Sequence, residues 1–480
     1  METRSMARAR RAREAAEAAV KASTTINNLP DDCLFHIFGF LPLEDRFRST
    51  AVCKRWRDFG SDSWHNLQKL DLISLEKSKH PLSFAPRNRP RRNRFYRYYR
   101  DDDDADDEED SYEDDENTRV RFTIKYPKLM TLCGGFVKIL MLPVPSRFDI
   151  IREASETSRN LKRIVIRFEN FRDKGRQSKH LGRLFAKNRG TLRSVIIDNM
   201  QDFSVYTGCL LELPKKLVEL QLWGYKAHYA RYAESARTPY FNRFVPALKR
   251  LKNLEILVLN GLQISGDQLA MIGNFDNLRY LEIFRSTPSR PVPFEIQAIA
   301  SRHKLEYLSL QNVKNMTAGW FADLVRNNPD LKHLKLQTCA LRPEFIQQLF
   351  ALSKLETLSL TYLHIAPESL DLTGFPNLQK FVCTTAGDQA VIILLETALN
   401  LKLINLSKSE GVTPLVLHKA HVVTSTRTNN VPLHVVVESY VLREWQKPTR
   451  PSPLLTVEHS YDFEERTRYG YECNEEELFY

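Results

Sequence analysis

The apolar side chains between residues 29 and 64 are spaced as on one face of a helix. Four of them fall at positions i, i+3, i+4 and i+7: Leu34, Ile37, Phe38 and Leu41. This spacing predicts an amphipathic helix. Asp31 and Asp32 suit its start, where a carboxylate can accept from free N–H groups and lies at the positive end of the helix dipole. Pro42 follows at once and cannot continue the helix, so the helix should end there.

Two shorter helices should follow, one over residues 43 to about 50 and one carrying Val52, Trp56 and Phe59. Three helices in about forty residues enclose too little volume to bury all of these large side chains. Modules of this size usually need a staple, a metal ion or a partner. A plain helical subdomain, in which every apolar residue is internal core, is the alternative.

The same stretch resembles an F-box. The resemblance rests on these residues: Leu29, Pro30, Leu34, Ile37, Phe38, Leu41, Asp45, Val52, Cys53, Lys54, Arg55, Trp56 and Trp64. It implies an F-box over residues 24–64 that docks on a Skp-family adaptor and, through it, on a cullin and a RING protein in an SCF-type ubiquitin ligase. The adaptor-binding residues it implies are Leu29, Pro30, Leu34, Ile37, Phe38, Leu41, Val52 and Trp56. Arg46 departs from the pattern, because many F-boxes have an aliphatic residue there.

From His65 onward a second spacing, Leu-x-x-Leu-x-Leu with apolar replacements, recurs along the chain. Its copies begin at Leu67, Val137, Leu161, Leu192, Leu217, Leu254, Leu278, Leu305, Leu331, Leu355, Leu378 and Leu401. From Val137 to Leu401 successive starts lie 23 to 31 residues apart, apart from one interval of 37. Each copy predicts a short strand, a turn and a returning helix, as over residues 317–327 and 342–351.

This period resembles that of leucine-rich repeats, and the order of the two modules resembles that of F-box proteins with leucine-rich repeats. The fold class so implied is α/β, a small three-helix F-box followed by a leucine-rich-repeat solenoid with a parallel concave sheet and outer helices. A single repeat cannot bury its apolar face, so neighbouring repeats should stack. We expect a basic N-terminal arm over residues 1–23, repeats over 65–410, a C-terminal cap over 411–446 and a tail over 447–480.

Strand alternation should send the residues between and just after the leucines to the concave face. Stacking the repeats then aligns these residues in columns. The candidate substrate-binding residues in these columns are Arg163, Arg167, Trp223, Val258, Asn260, Tyr280, Phe284, Tyr307, His333 and Lys335. Several are aromatic or apolar, and an exposed patch of this kind usually marks a partner site. The Tyr- and Phe-rich segment after Trp223 could instead fold over the patch and bury it, and both alternatives stay open here.

Charge is unevenly distributed along the chain. Residues 87–100 contain seven Arg interleaved with Phe and Tyr, and residues 101–116 contain thirteen acidic side chains. Such blocks predict a disordered charged insertion at about 76–118. Its basic half suits stacking on RNA, its acidic half suits a basic partner, and a solvated loop that partly pairs with itself is the alternative. The whole chain has a net charge of +11, which suggests acidic partners but does not by itself indicate nucleic-acid binding.

Motifs of other classes are absent from the sequence. No apolar run is long enough for a membrane helix, and the Arg-rich start lacks the apolar core of a secretory signal. Seven cysteines without paired spacing fit a reducing compartment, so we expect a cytoplasmic and/or nuclear protein. The phosphate-binding, zinc-protease and serine-hydrolase motifs do not occur. His418 and His421 are three apart without a third ligand, so we expect a surface pair.

We therefore expect no catalytic residue, no metal and no cofactor, and a function in binding. The main hypothesis is a non-catalytic substrate receptor that joins a Skp-family adaptor to an unidentified target protein for ubiquitin-dependent degradation. The alternative is a non-degradative leucine-rich-repeat scaffold that binds protein or nucleic acid through a basic surface. Nucleic acid is the less favoured partner, and no membrane partner is expected.

Overall fold

The structure is a computed structural model, and it describes most of the chain with gaps. The described residues are 8, 10, 12–14, 26–73, 126–144, 150–168, 174–200, 207–224, 245–260, 272, 275–284, 297–300, 304–311, 316–339, 342–362, 370–446, 448 and 450–460. Most of the expected arm, the whole of the charged insertion expected at about 76–118 and the segment 225–244 lie outside these residues. The chain forms two compact units, which are Met1–Pro143 with Asp149–Leu161 and Val144–Phe148 with Lys162–Tyr480.

The first unit begins with the three predicted helices, α1 (Asp31–Phe40), α2 (Leu43–Ser49) and α3 (Lys54–Ser63). Prolines immediately precede α1 and α2, where a fixed φ near −53° suits the entry into a helix. The expected carboxylate cap of α1 is wrong, because no side chain caps this helix and Asp31 instead binds Arg55. Val52 lies in the turn before α3 and not within the helix.

A buried arginine lies inside this small module. Arg46 occupies the position where an aliphatic residue was expected, and it is only 5% exposed. Its guanidinium donates to the carbonyls of Gly39 at 2.5 Å and Ser63 at 3.2 Å, near the C-terminal ends of α1 and α3. It also lies over the ring of the buried Trp64 at 5.4 Å from the ring centroid. The last carbonyls of a helix have no hydrogen-bond partner within the helix. By donating to a carbonyl near the end of α1 and to another at the end of α3, Arg46 links the two helices.

The first unit continues from the F-box-like helices straight into strands. The 3₁₀ turn Trp64–Asn66 leads to β1 (Lys69–Asp71), which pairs in parallel with β2 (Ile139–Val144). Helices α4 (Tyr126–Cys133) and α5 (Ile150–Thr157) complete the unit. The His65 and Phe136 rings lie 4.2 Å apart and join the turn to the second repeat.

The second unit contains a parallel sheet in which each strand pairs with the next along the chain. Its strands are β3 (Arg163–Phe168), β4 (Ser194–Met200), β5 (Glu219–Gly224), β6 (Ile256–Asn260), β7 (Tyr280–Phe284), β8 (Tyr307–Gln311), β9 (His333–Gln337), β10 (Thr357–Thr361), β11 (Lys380–Cys383), β12 (Leu403–Asn405), β13 (Leu433–Val437) and β14 (Leu455–His459). The described helices of this unit are α6 (Lys174–Lys187), α7 (Thr207–Leu210), α8 (Val245–Leu248), α9 (Gln297–Ala300), α10 (Ala318–Asn327), α11 (Pro343–Gln348), α12 (Asp388–Thr397), α13 (Pro414–Thr426) and α14 (Ser439–Glu444). Every predicted repeat start therefore precedes one of the strands β1–β12.

The motif leucines align across the sheet and form its core. Leu308, Leu334 and Leu358 are partners in neighbouring strands, and each is completely buried. Two asparagines at the end of α10 add polar links. The buried Asn328 donates to the Leu324 carbonyl and accepts from the Leu305 amide at 3.0 Å, both in its own repeat, whereas Asn327 donates to the Ala300 carbonyl of the preceding repeat at 3.0 Å. Repeats are thus joined by side-chain as well as strand hydrogen bonds.

The sheet extends beyond the region assigned to repeats. Strand β13 pairs with β12, and β14 pairs with β13, with Ile404 opposite Val435 and Val435 opposite Val457. The assignment of a tail from residue 447 is therefore wrong for residues 455–459. The spacing of the repeats continues through β13 and β14. The leucine pattern does not reveal these two strands, because Pro432 and His459 stand at positions where earlier repeats have apolar residues. Among the described residues, every helix is too short or too polar to cross a bilayer.

Candidate functional site

Helix α1 has two apolar faces, one inside and one outside. Leu34 and Phe38 are enclosed, and the Phe38 ring packs edge-on against Trp56 at 5.1 Å between centroids. The outer face has four exposed residues at i, i+3, i+7 and i+10, which we call the α1 surface: Pro30, Cys33, Ile37 and Phe40. Phe40 is 88% exposed and Ile37 is 37% exposed. A phenylalanine so exposed beside other apolar residues is unusual on a soluble protein and marks a place where a partner can bind.

The other predicted adaptor residues lie around this helix. Val52 is 62% exposed, while Leu29, Leu41 and Trp56 are partly buried. The Leu29 carbonyl accepts from Arg55 at 2.8 Å, which ties the segment before α1 to α3. Leu34 and Phe38 are buried by the chain itself and are therefore core residues of the free protein. Their contact with an adaptor stays a prediction.

Sequence reasoning missed Cys33 and Phe40. The apolar stripe of Leu34, Ile37, Phe38 and Leu41 predicted a single face, and the structure divides it between the inside and the outside. Phe40 lies three residues after Ile37 and seven after Cys33. That second helical spacing is the signal that could have found the exposed face.

On the sheet, the strand register confirms the predicted column at the start of the strands. The column at the start of the strands contains Arg163, Ser194, Glu219, Ile256, Tyr280, Tyr307, His333 and Thr357, each opposite the next. The residues that alternate with the leucines share this face, which we call the column face of the sheet. Tyr280, Tyr307, His333 and Lys335 are therefore neighbours, as the spacing predicted.

Near β3–β5 the charges on the column face are already paired within the chain. The buried Glu219 carboxylate accepts from Ser194 Oγ at 2.5 Å and from Gln221 Nε2 at 2.6 Å. Arg163 lies 3.7 Å from the same carboxylate. Arg167 pairs with Asp198 at 3.0 Å. The two arginines thus lie against the chain's own carboxylates, which reduces the charge that they present to a ligand.

The apolar part of the predicted patch is less open than the sequence suggested. Val258 is only 2% exposed, and its contact with a substrate stays a prediction. Trp223, Asn260 and Phe284 are partly buried, and the Trp223 indole N–H donates to Gln221 at 3.2 Å. The alternative in which the segment after Trp223 folds over the patch concerns residues 225–244, which lie outside the described part of the chain.

The strands β7–β9 bring together five polar and aromatic side chains, which we call the tyrosine–lysine cluster: Tyr280, Glu282, Tyr307, His333 and Lys335. The two tyrosine rings are stacked, with centroids 3.9 Å apart and planes 7° apart. Both hydroxyls donate to Glu282 Oε2, at 3.1 Å from Tyr280 and 3.4 Å from Tyr307. The Lys335 ammonium lies 5.1 Å from the Tyr307 ring centroid.

The electrostatics of the cluster follow from its burial. Burial lowers the pKa of Lys335, and the nearby Lys380 lowers it further, while Glu282 acts in the opposite direction. Burial also lowers the pKa of His333, whose Nδ1 lies 2.9 Å from the Thr357 hydroxyl. Burial and the Glu282 carboxylate raise the pKa of the Tyr280 phenol, which stays protonated at neutral pH. The cluster therefore has a desolvated cation, a hydrogen-bonded carboxylate and neutral phenols.

The two histidines three residues apart on α13 have different surroundings. His421 accepts from the Ser452 amide at 3.2 Å, whereas His418 is exposed. Within the described ranges no group of three His, Cys, Asp or Glu side chains could hold a metal ion. The buried thiol of Cys339 donates to the Gln337 carbonyl at 3.3 Å.

Comparison with known proteins assigns the N-terminal module. Residues 26–69 match the family model described as F-box-like. This part of the chain is an F-box-like domain. It is followed by leucine-rich repeats, so the prediction of an F-box protein with leucine-rich repeats, and of its fold class, is confirmed.

Two curated relatives match short stretches of the chain. The chain is 54% identical to the F-box protein SKIP5 of Arabidopsis thaliana over 35 residues, which are 7% of this chain and 13% of that protein. It is 45% identical to F-box/LRR-repeat protein 12 of Homo sapiens over 40 residues, which are 8% of this chain and 12% of that protein. The chain thus matches about an eighth of the length of each relative.

Two solved structures resemble the chain distantly. One is the Rad7 and Elc1 complex in yeast, with 15% identity, a TM-score of 0.39, and coverage of 67% of this chain and 80% of that chain. The other is an internalin of Listeria monocytogenes, with 15% identity, a TM-score of 0.39, and coverage of 68% of this chain and 87% of that chain. At such TM-scores these likenesses carry no further conclusion, and the repeats are established by the register of the strands.

Proposed function

We propose that this chain is the substrate-recognition subunit of an SCF-type ubiquitin ligase. Its F-box binds a Skp-family adaptor, and through the adaptor a cullin and a RING protein. The repeats bind a target protein, which is then ubiquitinated and degraded. The observation that carries this proposal is the exposed α1 surface on the module that matches the F-box family.

The α1 surface supplies a physical reason for binding. Burial of one large apolar side chain stabilises a complex by roughly 1.5–3 kcal/mol. Phe40 and Ile37 lie on the same face of a helix and are both available for such burial. An exposed face of a helix also fits recognition by a partner that presents a hydrophobic groove.

This chain contributes to the reaction by bringing the target protein close to the subunits that transfer ubiquitin. The chemistry of ubiquitin transfer belongs to other subunits, and this chain holds the target near them, which raises the effective concentration of the target's lysines. We propose no catalytic residue and no cofactor in this chain. We also propose that it works in the cytoplasm and/or nucleus, because the six cysteines within the described residues are all free thiols.

Affinity purification from cells under proteasome inhibition tests this function. The full chain should recover a Skp-family adaptor, a cullin and a ubiquitinated target. An Ile37→Asp/Phe40→Asp variant should lose the adaptor and the cullin but keep the target. A matched control on the same helix, Asp32→Asn/His36→Gln, changes exposed polar residues and should behave as the wild type.

A second variant, Leu29→Ala/Pro30→Ala, tests the segment before α1 and should also reduce adaptor recovery. Equal recovery of the adaptor by all variants would refute the assignment. Recovery of nucleic acid that is lost at high salt, with no adaptor in the wild type, would favour a nucleic-acid-binding scaffold instead.

A further inference from the structure

We propose that Lys335, with Ser309 and Ser359 beside it, forms a subsite for an anionic side chain of the target protein. The anion is a carboxylate or a phosphate on an acidic segment that lies across the column face of the sheet. This inference rests on the proposed function, because it names the chemistry that the repeats recognise in their target.

The subsite is built by the register of three adjacent strands. Lys335 is in the middle of β9, and its direct partners are Ser309 on β8 and Ser359 on β10. All three side chains are on the same face of the sheet and are partly buried. Neighbouring strands are about 4.8 Å apart. One hydroxyl donor therefore lies on each side of the lysine. This arrangement suits an anion, which has several oxygens that can each accept a hydrogen bond.

Lys335 is partly buried, and within the described residues no carboxylate forms an ion pair with it; Glu282 acts on it only from two strands away. Three lysines of the second unit do form such ion pairs, which are Lys332–Glu306, Lys354–Asp330 and Lys419–Glu396. The Lys335 ammonium instead lies over the Tyr307 ring. A cation that is partly withdrawn from water is unfavourable when its nearest carboxylate, Glu282, is two strands away, and the lowered pKa of Lys335 reflects this cost. A bound anion would remove it.

Positive charge near the subsite lies on the side away from β7. Lys380 is exposed on β11, two strands from Lys335. The nearest carboxylate in the same row is Glu282, two strands away on β7, and both tyrosine hydroxyls already donate to its Oε2. Glu282 repels an anion from β7, so the ligand's acidic group should sit over β9 and toward β11.

The geometry favours an acidic protein segment over nucleic acid. Bases bind to free faces of aromatic rings. Here Tyr280 and Tyr307 cover each other, and the Lys335 ammonium lies over the Tyr307 ring. A nucleic-acid strand also needs a track of cations for successive phosphates. The same face carries Glu282 and Glu219, which would oppose such a track.

Degenerate peptide libraries provide the test on the full chain. Each library has one fixed central residue, which is phosphoserine, glutamate, serine or lysine, and binding to the immobilised protein is measured. We expect about ten-fold stronger retention of an anionic library than of the serine library, as a charge-assisted contact provides. The phosphoserine and glutamate arms distinguish phosphate from carboxylate.

Three variants complete the test. Lys335→Met keeps the aliphatic stem and should abolish the preference, whereas Lys335→Arg should keep it. Lys354→Met removes an exposed lysine with the same change in net charge, and it should behave as the wild type. Thermal unfolding of each variant checks that the fold is retained.

The inference is overturned if no library is preferred, or if Lys335→Met keeps the preference. It is also overturned if a degenerate single-stranded RNA displaces the anionic peptides more effectively than free acidic peptide does. Adaptor recovery is measured separately on the same proteins. Adaptor binding without an anionic preference would refute only the subsite, and an anionic preference without adaptor binding would refute only the ligase function.

Discussion

At the scale of single residues, Arg46 is a charged side chain that holds the F-box helices together from inside. Its guanidinium donates to carbonyls near the ends of two helices and lies over a buried tryptophan. A leucine at this position would resemble other F-boxes in sequence, but it would leave the Gly39 and Ser63 carbonyls without these donors. A typical family residue should therefore destabilise this particular F-box.

Arg46→Leu should lower the local stability of the F-box by about 2–3 kcal/mol, because hydrogen bonds from a charged group are lost. Hydrogen exchange measured on peptides from residues 31–63 of the full chain should become faster. Arg48→Leu is the matched control, since Arg48 is exposed and pairs with Asp45 at the surface. Unchanged protection in Arg46→Leu would contradict the account of Arg46.

His333 makes a prediction about pH. Its pKa in the folded protein is lowered by burial and by Lys335, Lys332 and Lys380, with Glu356 acting oppositely. When the pH falls below 6.5, the ordinary pKa of histidine, His333 is therefore protonated in the unfolded chain but stays neutral in the folded chain until a lower pH. The contribution of His333 to stability is present above pH 6.5 and is lost as the pH falls through its lower folded value.

The melting temperature should consequently fall less between pH 7.5 and pH 5 in His333→Gln than in the wild type. The comparison is made by thermal unfolding in matched buffers of constant ionic strength. The exposed His418 provides the control, and His418→Gln should follow the wild-type curve. Parallel curves for all three proteins would contradict a depressed pKa at His333.

At the scale of elements, a glycine permits a close contact between repeats. Phe350, in the 3₁₀ turn after α11, lies against the backbone of Gly374, and its ring packs edge-on against Phe375 at 5.0 Å between centroids. A Cβ at residue 374 would fall within the Phe350 ring. The position has no room for any side chain unless this aromatic pair moves.

Gly374→Ala should therefore destabilise the second unit by about 1–3 kcal/mol, the usual cost of overpacking. Gly319→Ala is the control, because Gly319 lies in α10 and a Cβ there would meet only an ordinary contact at 3.8 Å from Thr317 Oγ1. It should be neutral or stabilising by up to about 1 kcal/mol. Chemical unfolding monitored by circular dichroism measures both, and a neutral Gly374→Ala would contradict the contact.

Much of the architecture could be predicted from local spacing. The leucines located β1–β12 and their register, because each strand repeats the same short pattern. Strands β13 and β14 were not assigned to the repeats, because Pro432 and His459 interrupt that pattern. The role of Arg46 could not be predicted, because its carbonyl partners are brought to it by the packing of separate helices. The burial of Val258 is likewise a consequence of tertiary packing and not of its own strand.

At the scale of the whole molecule, the F-box is continuous with the first repeats. It belongs to the same compact unit as β1 and β2, joined through the 3₁₀ turn Trp64–Asn66 and the contact of His65 with Phe136. The second unit holds the tyrosine–lysine cluster. The two candidate surfaces therefore lie in different units, and each can be altered without changing the residues of the other.

The dissociation constant of the purified full chain for a purified Skp-family adaptor, measured by isothermal titration calorimetry, tests the central claim most directly. The wild type should bind, and Ile37→Asp/Phe40→Asp should weaken binding by about 100-fold, since two large apolar side chains no longer become buried. Asp32→Asn/His36→Gln should leave the constant unchanged. Absence of binding by the wild type, or equal binding by the Ile37→Asp/Phe40→Asp variant, would contradict the account.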